Sequence, residues 1–120
     1  MFGKREINNE YDIKELKRQL TNDDIVKLVE YLGGKLYERN DTYLRFDSIC
    51  YHRDCTGHKG KMYYYGEYFV DYKLGESFDV FEMVKKRYEI LNKGITFVEC
   101  VKVVVGVCGV KWWRHDPTYA

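Results

Sequence analysis

Cys50, His52, Cys55 and His58 place two thiols and two imidazoles within one short segment. Those side chains would make a tetrahedral zinc shell. Thr56-Gly57 and Lys59-Gly60 supply the turn residues with which a loop would wrap an ion. One tight loop must then close the whole shell without a ligand from a distant element. The preferred reading is therefore a segment held by packing and hydrogen bonds, with no cofactor. Zinc on these four residues is the alternative. Cys100 and Cys108 lie on an apolar helical stretch and read as buried thiols rather than nucleophiles.

A second constellation is aromatic and basic. Tyr63, Tyr64, Tyr65, Tyr68 and Tyr72 have Lys59, Lys61 and Lys73 nearby. Bases stack on aromatic rings, at roughly 1–3 kcal/mol per base, while lysines neutralise phosphates. Tyr63, Tyr65, Tyr72, Lys59, Lys61 and Lys73 are accordingly candidate contacts to single-stranded nucleic acid or a protein partner. The plainer reading is a sheet with one face packed on helices, and strand alternation then sends about half of the rings into the core. Lys85, Lys86 and Arg87 form another basic cluster, usually just the solvated face of a helix. In the tail, Trp112, Trp113 and Arg114 are residue types enriched at binding hot spots. They either fold back over the core or anchor a partner.

Catalysis finds no foothold in these residues. The acids are scattered, no glycine-rich phosphate cradle occurs, and no Cys/His pair has a third orienting group. The chain reads as non-enzymatic. Its 20 basic and 19 acidic residues give a net charge of +1, so attraction to nucleic acid must come from a local patch. No apolar run approaches the roughly 20 residues that span a membrane, and the amino terminus lacks a signal region. The expected location is the cytoplasm, where cysteines stay reduced.

The elements that position these groups follow from periodicity. Ile13, Leu16 and Leu20 share one face of a helix over residues 10–20. Thr21-Asn22-Asp23-Asp24 starts a second helix that carries Ile25, Leu28, Val29 and Leu32, and Gly33-Gly34 ends it. Alternation predicts strands over residues 35–39 and 43–49, joined at Asn40-Asp41, and over 61–65 and 67–72, joined at Gly66. The stretch from Tyr68 to Phe81 reads as a strand, a glycine turn and a helix capped by Ser77 that runs to Leu91. Thr96 and Glu99 form a capping box for a last helix. The valine run 103–105 leaves the end of that helix open to a strand reading. The whole is one α+β domain, a small antiparallel sheet flanked by helices.

Four segments, in order, resemble the zinc-binding domain of bacterial and phage DNA primases. The helix from Asp24 is similar to the one that opens those domains. Ile49-Cys50-Tyr51-His52-Arg53 sits where they carry a Cys-x-x-His pair. Residues 69–81 sit where they carry Cys-x-x-Cys, a glycine and a helix start. Gly94-Ile95-Thr96-Phe97-Val98-Glu99 is similar to their Gly-Leu-Ser-Phe-x-Glu segment. The resemblance implies a degenerate zinc-ribbon-like module over residues 21–110, with an N-terminal helical extension at 1–20 and a tail at 111–120. Only Cys50 keeps a ligand position. Arg53 stands at the histidine position, and Asp71 and Leu74 replace the second pair. Leucine cannot ligate, so the inherited metal site is broken. Asp71 reads as a surface polar residue, and Phe69, Leu74, Phe78 and Phe81 are expected to be buried where the metal once organised the fold. The implied role is a non-catalytic accessory protein of a phage or mobile element that binds single-stranded DNA or a replication partner (primase, polymerase or helicase). The alternative is an inhibitor of a host defence nuclease, as anti-CRISPR proteins are.

Overall fold

A threonine followed three residues later by an acid marks two helix starts, and both form. In the computed structural model, whose described residues are 13–54 and 60–110, Thr21 Oγ1 accepts the Asp24 amide at 3.2 Å and Asp24 Oδ2 accepts the Thr21 amide at 3.0 Å. This reciprocal pair opens α2 (Asn22–Tyr31), which follows the short α1 (Ile13–Gln19). The first residues expected in α1 lie outside the described residues. Leu16 of α1 joins Ile25, Leu28 and Val29 of α2 in the core. Gly33, at φ 103°, lets the chain leave α2 through a conformation that side chains disfavour.

The chain then builds a five-stranded antiparallel meander in sequence order: β1 (Leu36–Arg39), β2 (Leu44–Phe46), β3 (Met62–Tyr64), β4 (Phe69–Asp71) and β5 (Glu76–Phe78). The register aligns Leu44 with Tyr64 and Phe69, and Phe69 with Phe78. These residues, with Phe46 and Met62, form the buried face.

Helices α3 (Val80–Ile90) and α4 (Phe97–Cys108) complete the core with Phe81, Met83, Val84, Cys100, Val101 and Val104. The capping box predicted at Thr96 is present: Thr96 Oγ1 accepts the Glu99 amide, and Glu99 Oε1 accepts the Thr96 amide. Residues 103–105 are helical, and α4 ends at Gly109 in the left-handed conformation. Phe69, Phe78 and Phe81 are buried as expected, whereas Leu74 is only half-buried against the core. The α+β class is as read from the sequence.

Three local expectations are corrected. The strand from Tyr43 stops at Phe46, because the Asp47 carboxylate takes the Lys35 amide (2.9 Å) and the Tyr37 hydroxyl (2.8 Å) and turns the chain. Residues 47–50 are buried outside the ladder. Between the glycine turn and α3 lies β5, which contains Ser77. The N-cap of α3 is Asp79, whose Oδ1 accepts the Glu82 amide at 2.8 Å. Both Ser and Asp suit an N-cap; pairing of Glu76–Phe78 with β4 decides between them.

Candidate nucleic-acid interface and the polar hubs behind it

Strand alternation puts Tyr43, Arg45, Tyr63, Tyr65 and Val70 on the sheet face opposite the core. The register arranges that face in rows. Tyr43, Tyr65 and Tyr68 lie across one end, joined where the Tyr65 amide donates to the Tyr68 carbonyl (3.0 Å). Arg45, Tyr63, Val70 and Ser77 cross the middle. Lys61 and Tyr72 close the other end, where the Tyr72 amide donates to the Lys61 carbonyl (2.8 Å). Of the five tyrosines between 63 and 72, only Tyr64 enters the core. The expected even split fails because 63 and 65 share one parity, while 68 and 72 flank β4 rather than belong to it.

The outer rings form one cluster around Tyr63. Its ring centroid lies 4.9 Å from Tyr43, 5.2 Å from Tyr72 and 6.0 Å from Tyr65, edge-on to the first two and near-parallel to the third. Tyr65 also meets Tyr68 at 5.8 Å. The Tyr65 and Tyr72 hydroxyls share a 2.8 Å hydrogen bond, and that bond pushes the Tyr65 phenol up to about 12. Tyr72 and Tyr68 remain 57% and 47% exposed. Arg45 Nε reaches Glu38 Oε1 at 3.1 Å, and the Glu38 carboxyl is held below its ordinary value chiefly by the Tyr43 hydroxyl, which donates to it. Lys73, in the β4–β5 turn, lies 5.5 Å over the Tyr51 ring.

Behind this face sit two polar groups that hold the turns. Asp71 is fully buried, not a surface residue as expected. Its Oδ1 accepts the Lys73 amide (2.8 Å), the Leu74 amide (3.0 Å) and the Ser48 hydroxyl (3.3 Å). Its Oδ2 is buried without a hydrogen-bond partner. Burial raises the Asp71 pKa against the pull of those three donors. The short side chain thereby closes an Asx turn and ties it to the segment that precedes Cys50.

Arg87 is the second group and the second correction. The run Lys85-Lys86-Arg87 predicts a solvated basic cluster, yet Arg87 is 6% exposed. Nε donates to the Leu32 carbonyl at 2.9 Å, and Nη1 donates to the carbonyls of Ile49 (3.1 Å), Arg53 (3.1 Å) and His52 (3.3 Å). Among the described residues no carboxylate pairs with it within salt-bridge distance. Carbonyl dipoles from the C-terminus of α2 and from the 49–53 turn stabilise the charge instead. A Cβ on Gly33 would stand 3.0 Å from Nη2, so glycine is needed there twice over. Lys86 is spoken for by Glu76 (2.7 Å) and the Phe78 ring. Lys85 is exposed on α3, on the core side of the sheet, away from the tyrosines.

The Cys/His set is brought together only in part. The Cys50 thiol is buried and donates to the Met83 carbonyl at 3.4 Å. His52 is exposed, and its Nδ1 accepts the Asp54 amide at 3.1 Å. Cys55, His58 and Lys59, and likewise Trp112, Trp113 and Arg114, lie outside the described residues. Among the described residues no three metal-ligating side chains converge. At the positions that resemble the second primase ligand pair, Leu74 offers no donor atom, so the pair does not supply the two ligands a zinc ion would need there. Cys100 and Cys108 are buried, and burial pushes each thiol up to about 11.

Tyr43 is not among the candidates drawn from the sequence, Asp71 is expected there at the surface, and the structural use of Arg87 is not anticipated. Alternation with buried Leu44 and Phe46 would have found Tyr43. The Asx turn at Asp71 is local, but its tie to Ser48, 23 residues earlier, is not marked in the sequence, nor are the Arg87 partners 34 to 55 residues earlier.

Fold and site define an α+β protein whose sheet is covered by helices on one face and carries a tyrosine cluster on the other. No family model matches the chain, and no solved structure matches it. It is similar to the SPbeta prophage-derived uncharacterized protein YorJ of Bacillus subtilis (strain 168), at 28% identity over 104 residues. The match takes in 82% of this chain and 27% of that protein, so the chain spans about a quarter of its relative's length. Among the described residues no helix is long and apolar enough to cross a membrane.

Proposed function

We propose that this chain is a non-catalytic accessory module of a phage or other mobile element, that it derives from a primase-type zinc-ribbon scaffold, and that it binds single-stranded DNA on its tyrosine face beside a replication partner such as a primase, polymerase or helicase. One observation carries the binding role: helices cover one face of the sheet, while the other carries a contiguous cluster of Tyr43, Tyr63, Tyr65, Tyr68 and Tyr72 with Lys61 beside Tyr72. Rings held against one another need little further ordering to receive a base, and stacking is tolerant of sequence. Two further observations support the origin. The segments that resemble the two ligand pairs adjoin, through Ser48–Asp71 and Lys73–Tyr51, and the similar protein is prophage-derived.

The test is oligo-dT binding followed by fluorescence anisotropy across a salt series. With Lys61 and Lys73 as phosphate contacts, the slope of log affinity against log salt should be about −1.4. If no oligonucleotide binds even at low salt, the direct DNA role fails. The pairing of Arg45 with Glu38 leaves the face poor in free cations, and this favours, as a second reading, a protein partner such as a host defence nuclease held by tyrosine-rich contact. Co-purification of such a nuclease, with protection of its substrate, would support that reading.

A further inference from the structure

At the end of the tyrosine face a polar recess of about 80 Å³ opens between the β1–β2 turn, the start of α2 and the β3–β4 turn. A single water needs roughly 10–15 Å³ of such space, so the recess admits a group the size of several waters. Its walls are built by turn chemistry. Asn40 Oδ1 accepts the amides of Thr42 and Tyr43, at 2.9 Å each, and folds Asp41 and Thr42 around the opening. Gly66, at φ 102°, makes the tight turn opposite, and the Tyr64 hydroxyl donates to its carbonyl at 2.7 Å.

Two kinds of group remain to meet a ligand there. Tyr43 and Tyr65, whose rings are 6.1 Å apart and steeply inclined to each other, are among its lining residues and belong also to the tyrosine cluster. Asn22, Asp41 and Thr42 line it as well, and among the described residues no hydrogen bond engages their side chains. Among the described residues no lysine or arginine lines the recess, and one carboxylate does. A phosphate would meet like charge there and no cation. A flat, uncharged group with hydrogen-bond donors on its edge would find both aromatic residues and side-chain acceptors among the lining.

We propose that this recess receives one base splayed from a single strand lying on the tyrosine face, and that it prefers guanine. This rests on the single-strand reading above. Guanine presents two adjacent donors, its ring N–H and its exocyclic amine, to a carboxylate that accepts with both oxygens, and the Asn22 amide and Thr42 hydroxyl are at hand for the remaining edge. Thymine and adenine lack that donor pair, and cytosine offers the amine alone. The backbone then leaves the recess toward Tyr63, Tyr72 and Lys61, where its phosphates find the cations that the recess lacks.

The experiment is binding of dT oligonucleotides that carry a single guanine, adenine or cytosine, to the full chain and to Asp41→Asn and Asn22→Ala. Both positions are exposed, so the fold should survive either change; thermal unfolding checks this. The expected result is about tenfold tighter binding of the guanine-bearing strand than of plain dT, the worth of one good bidentate contact. Asp41→Asn should abolish that preference and leave dT affinity unchanged; Asn22→Ala should reduce it. Equal affinity for all four strands, or a preference that survives Asp41→Asn, would overturn the recess proposal while leaving the tyrosine face standing. Failure of every strand to bind would overturn the broader reading, and the recess with it.

Discussion

Tyr63 and Asp71 occupy neighbouring strands of one sheet, Tyr63 on the outer face and Asp71 on the inner, and their surroundings have little in common. Asp71 and its distant counterpart Arg87 are buried, and their partners are almost all backbone groups: two amides and one hydroxyl for the first, four carbonyls for the second. Such groups are occupied by the fold, and removing either leaves buried polar atoms without partners. The outer tyrosines touch mostly one another, through ring contacts at 4.9–6.1 Å and one shared hydroxyl bond. Those contacts can be exchanged for contacts to a ligand at little expense. The inner hubs therefore shape the turns, and the outer face is what the fold leaves available.

If that division is right, inner changes should cost stability and outer changes should cost binding. The largest effect is expected at Arg87. Arg87→Met leaves four carbonyls without their donor and should lower the unfolding free energy by about 3 kcal/mol or more, at roughly 1–3 kcal/mol for each buried acceptor left unsatisfied, as read by urea denaturation. Arg87→Lys, with three donors on a compact head, should recover only part of it. A loss below about 1 kcal/mol would break the comparison from the inner side.

Asp71→Ala should cost about 1–3 kcal/mol by opening the turn at Lys73 and Leu74. The pH dependence separates the charge from the hydrogen bonds. Because the folded pKa of Asp71 is raised, protonation favours the native state. That contribution is complete below the ordinary aspartate range and is lost as pH rises through the raised value. Unfolding measured from pH 3 to 7 should show it in the wild type, and Asp71→Asn, which keeps the Oδ1 acceptor, should flatten it.

Smaller effects are expected outside. Tyr65→Phe removes the hydroxyl bond to Tyr72 and keeps the ring, so oligonucleotide affinity should change by less than about twofold if stacking is the source of binding. A tenfold loss would instead assign the binding to hydroxyl contacts. Lys85→Ala, at an exposed position of α3, should alter stability by less than about 0.5 kcal/mol and leave the salt slope untouched. Any loss of affinity there would move the binding face to the helices.

The legible parts of this fold were those governed by near neighbours in sequence. Thr21 with Asp24 and Thr96 with Glu99 announce their helices because both halves of each capping box lie within one turn. Gly66 marks its hairpin for the same reason. Ser77 misled because it suits an N-cap as well as Asp79 does, and only pairing with Val70 places it in a strand. Arg87 was hidden by its neighbours: a Lys-Lys-Arg run looks like a solvated face, and the carbonyls that bury its end come from segments 34 to 55 residues earlier. The tyrosine cluster was legible as a set of residues. Its membership was not, since which rings face out depends on strand ends that alternation alone does not fix.

The most direct test is oligo-dT binding at low salt by the wild type and by the double variant Tyr63→Ala, Tyr72→Ala, with unfolding curves taken on both. The account predicts that the wild type binds and that the variant, still folded, loses at least about tenfold in affinity, at roughly 1–3 kcal/mol per stacked base. A folded variant that binds as well as the wild type, or a wild type that binds no strand at all, would contradict it.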